Sequence, residues 1–162
     1  VPGTFKRLNM NLVNPDLAHC AKMLGRSKTV AVIGNGGNLS IAQHAASDIN
    51  RHTGKLCLCP DATHLTALAG DDLWHGAWLA YAVQHCDMIL GISARVNSPM
   101  IRDIDEFAFG IPTTVIAPKK INSNHIDTIV LPCKTYHEFE VNALWTIYMM
   151  MEYNGVKLPD LP

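Results

Sequence analysis

The sequence predicts an α/β fold in which a five-stranded parallel sheet lies between two helical layers, a three-layer αβα sandwich of flavodoxin-like or Rossmann-like type. Five apolar segments rich in β-branched residues alternate with helix-like segments along the 162 residues. The apolar segments are continuous rather than alternating, which is typical of parallel strands covered by helices on both faces. Glycines follow several helix-like segments, at positions where helices commonly end.

The same pattern places each element. Strands are expected at 28–34, 55–60, 87–93, 112–118 and 128–133. Helices are expected at 15–24, 39–52, around 65–69, and at 75–85, 98–109 and 138–153. A chain of this length is enough for one domain, 1–162, with an N-terminal helical segment at 1–27, the αβα core at 28–153 and a surface tail at 154–162.

Composition narrows the classes of function. Hydrophobic residues make up 48% of the chain and charged residues 17%, as in an ordinary globular protein. A formal net charge of −1 supplies no basic field for a nucleic-acid backbone, so no direct contact with nucleic acid is expected. The sequence has neither a membrane-length apolar run nor a signal-peptide layout, which predicts a cytoplasmic protein without membrane contact. Its five cysteines are expected to be buried, reduced thiols.

The segment 31–49 is the most informative of the chain. It reads AVIGNGGNLSIAQHAASDI, an apolar strand that enters a glycine-paired turn and then a helix. Free N–H groups and the dipole at a helix N-terminus favour an anion, so the turn indicates a phosphorylated or acidic small molecule. A tight turn alone explains the glycines equally well. The third glycine of G-x-G-x-x-G is missing, which makes a dinucleotide site the weaker alternative.

Two further loops carry polar residues and are expected at the same edge of the sheet, because ligands gather beyond the carboxyl ends of the strands. Residues 93–99 read SARVNSP, whose hydroxyl, amide and guanidinium groups suit a phosphate, or else form a capped turn with an exposed arginine. Asp61, His64 and Asp71 belong to the loop that follows the second predicted strand. Both aspartates are also explained as helix caps.

His44 and Asp48 are four residues apart on the predicted helix 39–52. This spacing places both side chains on one surface, where they would share a metal ion or act on one substrate. The plainer alternative is an ordinary hydrogen bond on the surface of the protein.

Taken in order, these motifs resemble those of the sugar isomerase (SIS) domain and, within it, the phosphoheptose isomerases. The segment 34–44 is similar to the family's G-N-G-G-S…A-Q-H-F-A motif. The segments 60–71 and 92–99 are similar to its T-T-D…L-T-A-x-x-N-D and I-S-T-S-G-N-S-P motifs. In the last motif Ala94, Arg95 and Val96 stand where the family has Thr, Ser and Gly. Val96 would be strained if the family's glycine uses a positive φ.

The resemblance implies a single SIS domain that converts sedoheptulose 7-phosphate to a glycero-manno-heptose 7-phosphate. It also implies a homodimer or homotetramer, since the family's active sites lie between subunits. The loop 93–98 would hold the phosphate, chiefly through Ser93, Arg95 and Ser98. The implied substrate ligands are Asn35, Gly36, Asn38, Asp71, Ser93, Arg95, Asn97 and Ser98.

The family binds zinc through a helix His, a Glu four residues later, and a Gln and a His on the last helix. His44 and Asp48 match the first pair, so the resemblance implies them as metal ligands, with zinc as the possible cofactor. Aligning the last helix through 140–141 puts Phe139 and Ile147 at the second pair. Asp48 is then the candidate base, with His44 as its catalytic neighbour. His64 is the candidate acid, and His137 and Glu138 are alternatives to it.

Loss of the family's histidine also fits a different class of function. A SIS protein without catalysis would sense a sugar phosphate, or would serve as a scaffold like the SIS protein that associates with the bacterial replication initiator. A nucleotide-binding Rossmann-type module is a third alternative.

Overall fold

Five strands alternate with helices along residues 15–61 and 74–159, the part of the chain that the computed structural model describes. The described helices are α1 Pro15–Arg26, α2 Gly37–Thr53, α3 Trp74–Ala82, α4 Pro99–Phe107 and α5 Tyr136–Tyr153. The strands are β1 Thr29–Gly34, β2 Leu56–Leu58, β3 Met88–Ile92, β4 Thr113–Ala117 and β5 Ile126–Val130.

All five strands pair in parallel in the order β2-β1-β3-β4-β5. This is the flavodoxin-like order, and it confirms the predicted five-stranded α/β sandwich. From β1 the chain continues to β2 on one side of β1 and then returns to β3 on the other side. The connections therefore diverge at the point between β1 and β3. Gly34 pairs with Ile92 at the carboxyl ends of these two strands. The loops that begin at 35 and 93 therefore leave the sheet side by side.

Helices cover both faces of the sheet. One layer contains α1, α2 and α5, which pack on alternate strand residues such as Val30, Val32 and Leu90. The other contains α3 and α4, which pack on the intervening residues such as Ile33 and Ile89. Side chains alternate between the two faces of a strand, so covering both faces requires the continuous apolar runs seen in the sequence.

Two strands differ from the prediction by more than one residue at an end. The last strand is β5 Ile126–Val130 rather than 128–133, and it contains the half-exposed Asp127. Pro132 has no N–H to donate to a neighbouring strand, and Cys133 turns back to the carbonyl of Leu131. The second strand is only Leu56–Leu58, an edge strand with partly exposed residues. The expected helix at 65–69 lies outside the described residues.

The ends of the fold are tied to the core. Thr135 caps α5 by accepting a hydrogen bond from the Glu138 N–H, at 3.1 Å. After α5, the Val156 N–H donates to the carbonyl of Met151, and Val156 and Leu158 pack against the α1, α2 and α5 layer. The described part of the tail therefore follows the surface of the domain.

The five cysteines are free thiols, two of them buried and three half-buried. Burial raises the pKa of the Cys57 and Cys59 thiols to about 12, which keeps both protonated. Within residues 15–61 and 74–159, no helix combines the length and apolar character that crossing a bilayer requires.

Candidate functional site

A cleft of about 580 Å³ opens beyond the carboxyl ends of β1 and β3, at the point where the connections diverge. The loops after both strands form two of its walls, and the start of α5 forms the third. It is lined by Asn35, Gly36, Gly37, Asn38, Ser93, Ala94, Arg95, Asn97, Ser98, Pro99, Tyr136 and Glu140. Seven of the eight predicted substrate ligands thus lie together. The eighth, Asp71, and the candidate acid His64 lie outside the described residues.

Two serine hydroxyls meet at the N-terminus of α4. Ser98 caps this helix, with Oγ accepting from the Ile101 N–H at 3.4 Å and Pro99 in the first turn. Ser93 Oγ donates to the Arg95 carbonyl at 2.8 Å and lies 3.2 Å from Ser98 Oγ. The hydroxyls and the positive end of the helix dipole therefore face one part of the cleft, an environment that favours an anion.

Arg95 is fixed against α5. Its Nε donates to the Tyr136 hydroxyl at 2.9 Å, and its guanidinium carbon lies 5.8 Å from the centre of the Tyr136 ring. The guanidinium has five N–H donors, so those on its terminal nitrogens remain for a ligand. Among the described residues no residue other than glycine has a positive φ. Val96 thus avoids the expected strain, and it packs against the layer of α3 and α4.

The loop after β1 is shaped by close backbone contact. A Cβ at Gly34 would lie 2.2 Å from the carbonyl oxygen of Asn38, so only glycine fits there. Gly36 adopts φ +59°, in the left-handed region that favours glycine. Asn38 is buried, and its Oδ1 has no hydrogen-bond partner among the described residues. A buried acceptor without a partner favours a ligand that brings a donor, such as a sugar hydroxyl.

Sequence reasoning missed two residues of the cleft, Tyr136 and Glu140. The Glu140 carboxylate lies so close to Gly37 that any side chain at 37 would meet it. It therefore lies at the N-terminus of α2, where the helix dipole stabilises a negative charge. Glu140 thus places a negative charge beside the turn 34–38, where the sequence predicts an anion. The spacing of four between Tyr136 and Glu140 is the signal that indicates a shared face of α5.

A second cluster joins α2 to α5. His44 Nε2 lies 3.1 Å from Asp48 Oδ2, as the spacing of four predicts. The Tyr148 hydroxyl donates to the same Oδ2 at 2.7 Å and lies 3.0 Å from His44 Nε2. Burial raises the pKa of Tyr148 to about 12, and the hydrogen bond to Asp48 and its charge act in the same direction. The phenol therefore remains protonated at neutral pH. His44, Asp48 and Tyr148 are called the α2–α5 triad below.

The register of α5 decides which side chains reach the triad. Phe139 and Ile147, the residues aligned with the family's Gln and His, are both buried in the core. The next residue in each case is only half-buried, and it faces α2: Glu140 lies against Gly37, and Tyr148 contacts His44 and Asp48. The α5 residues beside α2 are therefore offset by one position from the alignment made on the sequence.

The described residues do not fit zinc at this place. A zinc site takes three or four ligands, normally Cys, His, Asp or Glu. In the part of the chain that the structure describes, no group of three such side chains could hold a metal ion. The side chain that contacts both His44 and Asp48 is the protonated Tyr148 phenol, which is not one of the usual zinc ligands.

The alternatives to His64 as the acid have other contacts. The Glu138 carboxylate accepts a hydrogen bond from the Lys134 N–H at 2.9 Å, so it stabilises the start of α5. His137 is almost fully exposed, and its Nδ1 lies 3.7 Å from Glu140 Oε2. Neither residue contacts the α2–α5 triad.

No family model and no curated protein sequence matches this chain. Solved structures do match. The phosphoheptose isomerase from Neisseria gonorrhoeae superposes with a TM-score of 0.68 at 23% identity, over 90% of this chain and 88% of its own. The phosphoheptose isomerase from Francisella tularensis gives 0.69 at 17% identity, over 87% and 85%. The Vibrio vulnificus NanR protein complexed with ManNAc-6P gives 0.60 at 14% identity, over 86% and 52%.

These likenesses confirm the predicted fold. The chain is an α/β sandwich whose architecture resembles that of the phosphoheptose isomerases. At these identities the likeness concerns the fold, and function has to be argued from the site.

Proposed function

We propose that this protein binds a phosphorylated sugar and interconverts its aldose and ketose forms, as an isomerase of the phosphoheptose type. The observation that carries the proposal is the convergence of Ser93, Arg95 and Ser98 at the N-terminus of α4, inside the cleft. The named ligand of a protein with the same fold, ManNAc-6P, is a sugar phosphate and supports the substrate class.

The phosphate is expected between Arg95 and the two serines. The guanidinium supplies charge-assisted hydrogen bonds, the hydroxyls supply neutral ones, and the dipole of the nine-residue α4 adds to both. The negative Glu140 lies on the other side of the cleft, against α2. The sugar would extend in that direction and offer a hydroxyl to the unpartnered Oδ1 of Asn38.

The reacting end of the sugar is expected at the α2–α5 triad. Tyr148 follows Glu140 by two helical turns, about 12 Å along α5 at 1.5 Å per residue. An extended seven-carbon sugar phosphate has a comparable length. With its phosphate at α4, the carbonyl end of such a sugar would approach Asp48.

The proposed reaction moves protons between neighbouring carbons. The Asp48 carboxylate takes a proton from the carbon beside the carbonyl, the freed electron pair forms a carbon–carbon double bond, and an acid protonates the carbonyl oxygen to give an enediol. Asp48 then returns its proton to the former carbonyl carbon, and the conjugate base of the acid takes the proton of the other hydroxyl. His64 is the proposed acid, and unchanged turnover in His64→Ala would remove it from that role.

A sensor or scaffold without catalysis is the second candidate. The observation that favours it is the engagement of Asp48 by Tyr148, together with the lack of a zinc-type ligand set among the described residues. As a sensor, the protein would still bind a sugar phosphate in the cleft, and no proton would be transferred. As a scaffold, it would not depend on binding one.

We further propose a homodimer or homotetramer in the cytoplasm, as expected from the resemblance. Ile147 and the methionines 149–151 of α5 are buried within the chain itself, so these four side chains are not available to an interface. Sedimentation analysis with and without sugar phosphate measures the number of subunits.

Incubation with sedoheptulose 7-phosphate, followed by NMR, tests the proposed function. Turnover supports the isomerase. A higher melting temperature without turnover supports the sensor, because a ligand that binds only the folded state stabilises it. If the protein shows neither turnover nor a higher melting temperature, with or without zinc, the isomerase and the sensor are both contradicted and the scaffold remains.

A further inference from the structure

A zinc site does not explain the geometry of the α2–α5 triad. The three polar atoms, His44 Nε2, Asp48 Oδ2 and the Tyr148 hydroxyl oxygen, form a triangle with sides of 2.7, 3.0 and 3.1 Å. Every side is within hydrogen-bond distance. Two corners come from α2 and the third comes from α5, so the cluster is a contact between helices and not only a local pair.

We propose that Tyr148 replaces a metal ion beside His44 and Asp48, so that the isomerase centre works as a metal-free triad in which the phenol positions the base. This inference rests on the proposed function and deepens it. It assigns Tyr148 as a positioning residue, because the phenol acts on the substrate only through Asp48.

The phenol oxygen of Tyr148 lies beside both atoms that a shared metal ion would bind. A metal shared by His44 and Asp48 would bind Nε2 and Oδ2 at about 2.0–2.2 Å. The Tyr148 oxygen lies 3.0 Å from the first of these atoms and 2.7 Å from the second. Each atom that a shared metal would bind is therefore already hydrogen-bonded to a neutral hydroxyl.

The two carboxylate oxygens of Asp48 differ in their contacts. Both His44 and Tyr148 contact Oδ2, and no hydrogen bond or ion pair to Oδ1 is found among the described residues. Two contacts on one oxygen fix the carboxylate and leave the other oxygen available to take a proton. A general base needs this combination of fixed position and free lone pair.

The ring and the hydroxyl of Tyr148 lie in different surroundings. Its ring packs against the core layer of α1, α2 and α5, while the hydroxyl reaches the partly exposed surface between α2 and α5. Glu140, two turns earlier on the same helix, lines the cleft. The Tyr148 hydroxyl and the Glu140 carboxylate are thus presented by one helix.

Zinc titration by calorimetry tests the proposal on chelator-treated wild type, Tyr148→His and Tyr148→Phe. Wild type and Tyr148→Phe should show no stoichiometric zinc binding. Tyr148→His supplies an imidazole at the third corner and should bind zinc at least about 100-fold more tightly than wild type. Loss of an outer partner of a metal site already weakens metal binding by up to about 100-fold, and an imidazole is a direct ligand. Adding His44→Ala to Tyr148→His should abolish the gain. Melting temperatures establish that each variant is folded.

Stoichiometric zinc binding by wild type that is lost in His44→Ala would overturn the proposal. So would a Tyr148→His protein that is folded and gains no zinc affinity, because the corner would then not be a ligand position.

A kinetic readout separates positioning from a merely structural role. Tyr148→Phe should lower kcat on sedoheptulose 7-phosphate about tenfold or more and leave KM unchanged, because the phosphate end of the site is intact. Wild-type turnover should be unaffected by a chelator. A chelator that abolishes turnover, or a Tyr148→Phe variant with unchanged kcat, would overturn the proposal. Failure of the proposed function itself would differ, since no version of the protein would then turn over the sugar phosphate, with or without a chelator.

Discussion

The cleft and the α2–α5 triad lie on the same fold but are built differently. The cleft is made by two loops that leave neighbouring strands, and its lining includes Ser93 and Ser98 at a helix N-terminus. The triad is made by side chains on two packed helices. Loops at this edge of the sheet bring their polar groups together through topology, whereas residues on helices meet only when the packing register is right. Under the proposed function, binding therefore depends on the topology of the sheet and chemistry depends on the packing of two helices.

The largest effect that would sharpen this comparison is expected from Asp48→Asn. The amide keeps the shape of the side chain but cannot accept a proton, so turnover of sedoheptulose 7-phosphate should fall by about 10²- to 10⁴-fold. Calorimetry should show unchanged affinity for the sugar phosphate, because the phosphate ligands are untouched.

Asp127→Asn is the matched control for this prediction, since Asp127 also pairs with a histidine, His19, at 3.3 Å, but near the amino end of β5. It should leave turnover unchanged. Equal turnover by wild type and Asp48→Asn would show that the triad is not the chemical end of the site.

A smaller effect, confined to binding, is expected from Arg95→Ala. Loss of charge-assisted hydrogen bonds of about 1.5–3 kcal/mol corresponds to roughly 10- to 100-fold weaker binding of the sugar phosphate. Calorimetry at two salt concentrations measures the loss, and the salt dependence should decrease with it.

Arg102→Ala removes an equal charge from the exposed face of α4 and should have little effect, because Arg102 does not line the cleft. If both arginine variants bind as wild type does, the phosphate does not lie at α4.

The smallest effect is expected from Tyr136→Phe, which removes the acceptor that holds Arg95 Nε. The hydrogen bond contributes about 0.5–1.5 kcal/mol, so affinity for the sugar phosphate should fall roughly two- to tenfold. Tyr81→Phe, at an exposed tyrosine of α3, is the control. A Tyr136→Phe variant with wild-type affinity would show that Arg95 does not need this contact.

How far the sequence predicts each region follows from the same difference. The strand-loop-helix segments around 34–38 and 92–99 are local patterns, and the parallel order of the strands brings them together, so the cleft could be predicted from the sequence. Tyr148 could not, because its contact with His44 depends on the rotation of α5 by one residue. Phe139 and Ile147 instead complete the core, and a pattern of apolar residues along α5 does not reveal which neighbour faces α2.

A crystal structure of the protein with bound sedoheptulose 7-phosphate would show where the phosphate binds. We expect phosphate oxygens within hydrogen-bond distance of Ser98 Oγ and the Arg95 guanidinium, at the N-terminus of α4. A phosphate bound at any other place, with these two side chains facing only water, would contradict this expectation.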